Sequence, residues 1–115
     1  MIKGPYDNLP ALTQKEALDI LKTPIDKLKL SSDYYKAVFH LAKHPGLDTE
    51  EALLKLLRSE SVDDSIKLAK RKSIETLSLL GCDRAIPEFA KCLKSSDKYL
   101  VENAAYGLYV LNCKD

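Results

Sequence analysis

Residues 64–80 read DSIKLAKRKSIETLSLL. Ile66, Ala69, Ser73, Ile74, Leu77 and Leu80 recur at spacings of three and four, which gathers them on one face of an α-helix. The polar residues between them fill the opposite face, and the stretch does not alternate as a strand would. Gly81 follows at once, a residue suited to the left-handed turn that closes many helices. One amphipathic helix of this length cannot bury its apolar stripe alone, so it needs helical neighbours.

Five further stretches supply them. The first spans 14–22, where Thr13 and Glu16 form a capping box and Pro24 ends the helix. The second spans 33–43, with Ser32 as N-cap and Pro45-Gly46 as the stop. The third spans 49–58, with Asp48 capping and Glu51 answering at N3. Its Ala52, Leu53, Leu56 and Leu57 make an apolar stripe. The fifth spans 84–94 with Pro87 in its first turns, and the sixth spans 98–111 after Ser96 or Asp97. Residues 1–12, broken by Pro5 and Pro10, read as an irregular leader, and 13–115 as one domain.

The six helices group in three pairs. Ala37, Ser73 and Ala104 each stand four residues before a leucine (Leu41, Leu77, Leu108), at intervals of 36 and 31 residues. A small residue lets a helix back closely onto its partner while the leucine fills the shared core. Recurrence at roughly 20–50 residues marks a helical solenoid. The expected fold is all-α, with three HEAT-like helix-pair repeats forming a short α-solenoid; a plain helical bundle is the alternative.

The sixth stretch is apolar almost all round. Tyr99, Leu100, Val101, Ala104, Ala105, Tyr106, Leu108, Tyr109, Val110 and Leu111 leave only Lys98, Glu102 and Asn103 clearly polar. Such a helix calls for burial on more than one side. Tyr99, Tyr106, Tyr109 and Val110 are therefore expected to meet a partner: a second chain, a self-association partner or further repeats. The alternative is that the tyrosines keep their hydroxyls wet at an ordinary surface.

Composition narrows the function. The chain has 115 residues, 45% hydrophobic and 30% charged, with a formal net charge of +1. That balance gives no bulk attraction to nucleic acid or anionic lipid, and phosphate binding through residues 67–72 is a minor alternative. No run of about 18 apolar residues suggests a membrane span, and the first residues lack the apolar centre of a signal peptide. The odd set of Cys82, Cys92 and Cys113 argues against a disulfide scaffold, so a reducing cytoplasm is expected. Cys82 and Cys92 read as buried apolar fillers, and Cys113 as the more reactive thiol. His40 and His44, at i, i+4, are too few for a zinc site, so no metal is expected.

Particular words in the chain carry a family resemblance. KRKSIETL (70–77) resembles the RRKSVETL segment of the HEAT-repeat bilin lyases of phycobilisome assembly, closest to their phycoerythrobilin group. Cys92-Leu93 followed by DKYLVENA (97–104) is similar to that family's CL and D-x-Y-x-VENA run. YYKA (34–37), His40-Leu41 and Pro45 resemble its RY-x-AA, HL and P pattern, and LTQKEA (12–17) its LTEEQA opening. The resemblance runs in order from Leu12 to Leu111. Family members often carry tryptophan where Tyr106 stands, and they usually continue through further repeats. The likeness therefore leaves open whether this chain acts alone or as a subunit.

The resemblance implies that the chain binds an open-chain tetrapyrrole (a phycobilin substrate, not a resident cofactor). It would then attach the pigment, or assist its attachment, to a cysteine of a phycobiliprotein subunit, with a second lyase-like subunit as a further partner. A bilin has two propionates, pyrrole N–H groups and a flat conjugated body. Arg71 and Lys72 can serve the propionates. Asp63, Asp64 or Glu102 can accept the pyrrole protons, and Tyr34, Tyr35, Tyr99 and Tyr106 can stack. The competing reading makes the 67–72 basic run a solvated face with Arg71 paired to Glu75. A non-catalytic protein-interaction scaffold is the competing function.

Overall fold

The computed structural model describes residues 11–28, 30, 32–61 and 63–112. The expected leader therefore lies almost wholly outside the described residues, as does Cys113.

Among the described residues there are six α-helices and no strand: α1 (Gln14–Lys22), α2 (Asp33–Leu41), α3 (Leu47–Leu57), α4 (Asp64–Leu79), α5 (Ile86–Cys92) and α6 (Lys98–Asn112). The expected all-α class is borne out. α1 packs on α2, α3 on α4 and α5 on α6, while α4 is the hub, flanked by α2 on one side and α6 on the other.

The core is made of the residues whose spacing announced it. Ala37, Ser73 and Ala104 are fully buried, and so are Leu41 and Leu77. Leu108 is only partly buried; among the described residues no helix covers the outer side of α6. Phe89 of α5 fills the space between α4 and α6, and Gly107 admits it. A Cβ on Gly107 would lie 2.7 Å from Phe89 Cε2 and 2.8 Å from Ser78 Oγ.

The helix ends follow local chemistry, with corrections at α2, where Ser32 makes no side-chain cap and the helix ends at Leu41 rather than 43, and at α3 and α5. Thr13 and Glu16 make the expected capping box. After α4, Gly81 takes φ +67°; its N–H donates to Ser78 O and that of Cys82 to Leu77 O, a Schellman closure. α3 starts two residues before the expected 49. Gly46, with φ +142°, is its N-cap, and no Asp48–Glu51 capping box caps it. The cause is tertiary: Thr49 is fully buried, donates to His44 O and accepts from Gln14 Nε2 at 3.0 Å. The expected helix at 84–94 is a 3-10 turn over Asp83–Ala85 followed by the shorter α5. Pro87, which has no N–H to give, stands at its first turn.

Candidate functional site

The two sequence words that carry the family resemblance lie against each other. KRKSIETL falls in the middle of α4, and DKYLVENA makes the start of α6. Arg71 joins them, with Nε 3.1 Å from Asp97 Oδ2 and Nη2 2.9 Å from both carboxylate oxygens. Asp97 also accepts from Tyr99 N at 3.1 Å and Leu100 N at 3.4 Å, which caps α6. Burial disfavours the Asp97 carboxylate, but the Arg71 hydrogen bonds and these backbone N–H groups outweigh it and hold its pKa below the usual range. The Arg71 guanidinium lies 4.9 Å from the centre of the Tyr99 ring, so one cation positions both the cap and the aromatic.

One and two turns further along, α4 and α6 leave a groove of about 440 Å³ between them. Ile74, Leu79, Tyr106 and Val110 give it apolar walls, and Glu75, Ser78 and Asn103 supply its polar groups. Ser78 Oγ donates to Ile74 O at 2.7 Å, so its proton is spoken for. The volume lies within the range of small-molecule sites, roughly 300–1,000 Å³. Beside the groove, Lys72 Nζ sits 3.3 Å from Glu75 Oε2 and 5.4 Å from the centre of the Phe39 ring on α2. The edge of α4 thus presents a carboxylate, an ammonium and two aromatic neighbourhoods within a few turns.

The residues singled out from sequence divide clearly. Arg71, Lys72, Tyr99, Tyr106 and Val110 lie on or beside this face. Tyr106 and Tyr109 are exposed, with ring centres 6.5 Å apart. Glu102 is exposed but lies one position, about 100° of helix rotation, from the groove residue Asn103. Asp63 caps α4 by accepting from Ser65 N at 2.8 Å, and Asp64 begins the helix. Both are three turns away from Glu75. Tyr34 is buried, and its hydroxyl donates to Thr23 O. Burial, then the nearby Asp26 charge, pushes its pKa up. Tyr35 lies on α2, half-buried.

Two pairings differ from expectation. Arg71 pairs with Asp97 rather than with Glu75, and Lys72 takes Glu75 instead. Asp97 caps α6 as one of the two expected residues, but its pairing with Arg71, and the place of Glu75 and Asn103 on the groove, were not read from the sequence. The signal available for Asn103 and Glu75 was register: Tyr99, Asn103, Tyr106 and Val110 form one stripe of α6, and Leu68, Lys72, Glu75 and Leu79 one stripe of α4.

Cys82, Cys92, His40 and His44 stand apart from the groove. Cys82 and Cys92 are free and buried, and burial raises both thiol pKa values. His40 is buried, and neither ring nitrogen has a protein partner. His44 Nε2 faces Leu12 O at 3.2 Å. No described helix is long and apolar enough to cross a membrane.

The chain is 48% identical over 85 residues to the bilin biosynthesis protein CpeY of Synechococcus sp. (strain WH8020), covering 73% of this chain and 20% of that protein. It is 29% identical over 104 residues to an uncharacterized phycocyanin operon protein Y of Pseudanabaena tenuis (strain PCC 7409), covering 90% of this chain and 25% of that protein. The chain thus spans a fifth to a quarter of the length of these curated relatives. No family model and no solved structure matches it. The resemblance read from the sequence is borne out: kinship with proteins named for bilin biosynthesis and for a phycocyanin operon supports the chain as a member of the phycobilin lyase family.

Proposed function

We propose that this chain is a phycobilin lyase module, or a subunit or chaperone of such a lyase. It holds an open-chain tetrapyrrole and assists its attachment to a cysteine of a phycobiliprotein subunit. One observation carries this reading: the two family words fold against each other through Arg71 and Asp97 and together border a ligand-sized groove. The kinship with a protein named for bilin biosynthesis supplies the ligand class.

The three helix pairs are read as HEAT-like repeats of a short α-solenoid. Support comes from the packing order, in which α2, α4 and α6 follow one another with α1, α3 and α5 as their partners. In such arrays the second helices line the extended binding surface. Here that surface carries the Phe39–Lys72 contact, the Arg71–Tyr99 contact and the α4–α6 groove.

Attachment joins the acceptor cysteine sulfur to an exocyclic carbon of the bilin, and the thiol proton ends on the tetrapyrrole, so no oxidant or reductant is consumed. The nucleophile belongs to the phycobiliprotein. The module's work is to position the pigment and handle a proton. The exposed Tyr106 and Tyr109 on α6 suit a protein partner: the acceptor subunit, a second lyase-like chain or another copy. The setting is cytoplasmic.

The test is absorbance and fluorescence of the purified chain mixed with phycoerythrobilin, with and without a phycobiliprotein subunit. Acid-stable transfer of the pigment establishes a lyase that works alone. A shifted spectrum without transfer marks a carrier or subunit. An unchanged bilin spectrum overturns the proposal and favours an interaction scaffold.

A further inference from the structure

Among the residues lining the α4–α6 groove, Glu75 is the one carboxylate, and none of them is Lys, Arg or His. The other polar groups there are the Asn103 amide, the Tyr106 phenol and the Ser78 hydroxyl, whose proton goes to Ile74 O. Two neighbouring cations of the basic run turn elsewhere. Lys70 Nζ donates to Ser59 O at 2.6 Å, and Arg71 is held by Asp97. Lys72 alone approaches Glu75, from the α2 side, with its side chain 17% exposed between the carboxylate and the Phe39 ring. The groove is therefore apolar along its walls and acceptor-rich at one point, with a single ammonium beyond its rim.

This pattern selects a particular ligand chemistry. A flat conjugated body gains by leaving water against Ile74, Leu79, Tyr106 and Val110. A carboxylate at the rim rewards N–H donors on that body, and more so when the donor is cationic. An anion placed in the groove itself would meet Glu75 unfavourably, whereas an anionic tail directed over the rim would reach Lys72. An open-chain tetrapyrrole has all three parts in that order: conjugated rings, pyrrole N–H groups on their inner edge and propionates on a separate edge.

Resting on the bilin reading above, we propose that Glu75 is the carboxylate that anchors the pyrrole N–H groups, with the rings in the α4–α6 groove and one propionate at Lys72. Asn103, across the groove on α6, donates its amide N–H to a terminal ring carbonyl of the pigment. Arg71 and Asp97 act through α6: they fix where Tyr99 and Asn103 stand and do not bind the propionates. Hydrogen bonding to Glu75 favours the protonated form of the pigment, which absorbs at longer wavelength than the neutral form.

The experiment titrates the full chain with phycoerythrobilin, reading affinity and band position for wild type, Glu75→Gln, Asn103→Ala and Glu102→Gln. The Glu102 variant removes an exposed carboxylate of α6 that lies off the groove. Expected for Glu75→Gln is a loss of affinity of about tenfold or more, the scale of a lost charge-assisted hydrogen bond. Its bound band should also move toward that of the neutral pigment. Asn103→Ala should weaken binding with a smaller band shift, and Glu102→Gln, which tests the competing carboxylate, should lose less affinity than Glu75→Gln. If wild type binds and Glu75→Gln matches it within about twofold with the same band, the anchor is wrong while the bilin reading stands. If Glu102→Gln, rather than Glu75→Gln, gives the loss and the shift, the pigment lies on the outer face of α6 and the groove assignment fails. If wild type does not bind, both proposals fall. Glu75 is more than half exposed, so its replacement leaves the core intact, and unchanged thermal melting separates lost binding from lost folding.

Discussion

Arg71 on α4 grips Asp97 with two nitrogens, and the same carboxylate caps α6 through the Tyr99 and Leu100 N–H groups. One ion pair thereby fixes the height at which α6 starts against α4, and with it the width of the groove one turn later.

Asp97→Asn keeps an acceptor for the cap but removes the charge. The expected cost at neutral pH is about 1.5–3 kcal/mol, the range for hydrogen bonds to charged groups. Asp97 has its pKa lowered on folding, so its contribution is full above the ordinary value of 3.8 and fades as pH falls below it. Urea melts of both proteins at pH 6 and near pH 3 check this: the gap between them should shrink in acid. A gap of equal size at both pH values would show that the carboxylate charge is not what matters.

Gly107→Ala should destabilise the protein although alanine is the better helix former. The propensity gain is about 1 kcal/mol. Against it stands a Cβ only 2.7 Å from the ring of fully buried Phe89 and 2.8 Å from Ser78 Oγ. Overpacking of this kind costs about 1–3 kcal/mol. A lowered melting midpoint is expected, and Phe89→Leu in the same chain should recover part of it by opening room for the methyl. A stabilised Gly107→Ala would mean that α5 and α6 are free to part.

Leu77→Ala tests whether the recurring small-residue-to-leucine spacing marks the core. Leu77 is fully buried at the hub helix. Removing its isobutyl group should cost about 2–5 kcal/mol, whereas the partly buried Leu108 at the equivalent position of α6 should cost less. Equal losses at the two sites would contradict the open outer side of α6.

The parts of this fold that were legible in sequence are those governed by local rules. The stripe of 64–80 and Gly81 fixed α4 and its closure, and Thr13 with Glu16 fixed the start of α1, because each feature is decided within a few residues. The start of α3 misled for the opposite reason. Asp48 and Glu51 have the spacing of a capping box, but Thr49 is drawn inward by His44 O and by Gln14, 35 residues away. The candidate site divided in the same way. Arg71 and Lys72 stood out as cations, yet which carboxylate each would meet depended on packing, and Arg71 found one 26 residues downstream. Glu75 was overlooked as a ligand because an i, i+4 partner seemed to account for it. Only the position of α6 shows that it borders a groove.

His40 makes the last prediction, through acid. The ring is buried on α2, and neither nitrogen has a protein partner. Burial lowers its pKa, and the charges of Lys43, Lys36 and His44 push the same way. The unfolded chain therefore takes up a proton near the ordinary value of 6.5 while the folded chain resists it. Stability from this site is full above that pH and is lost as pH drops below it, until the folded value is reached. Replacing the ring by an apolar side chain of similar size, His40→Leu, should remove this sensitivity. Wild type should lose melting temperature between pH 7.5 and 5.5, and the variant should lose less. Parallel curves for the two proteins would show that His40 is charged, or reachable by water, in the folded state.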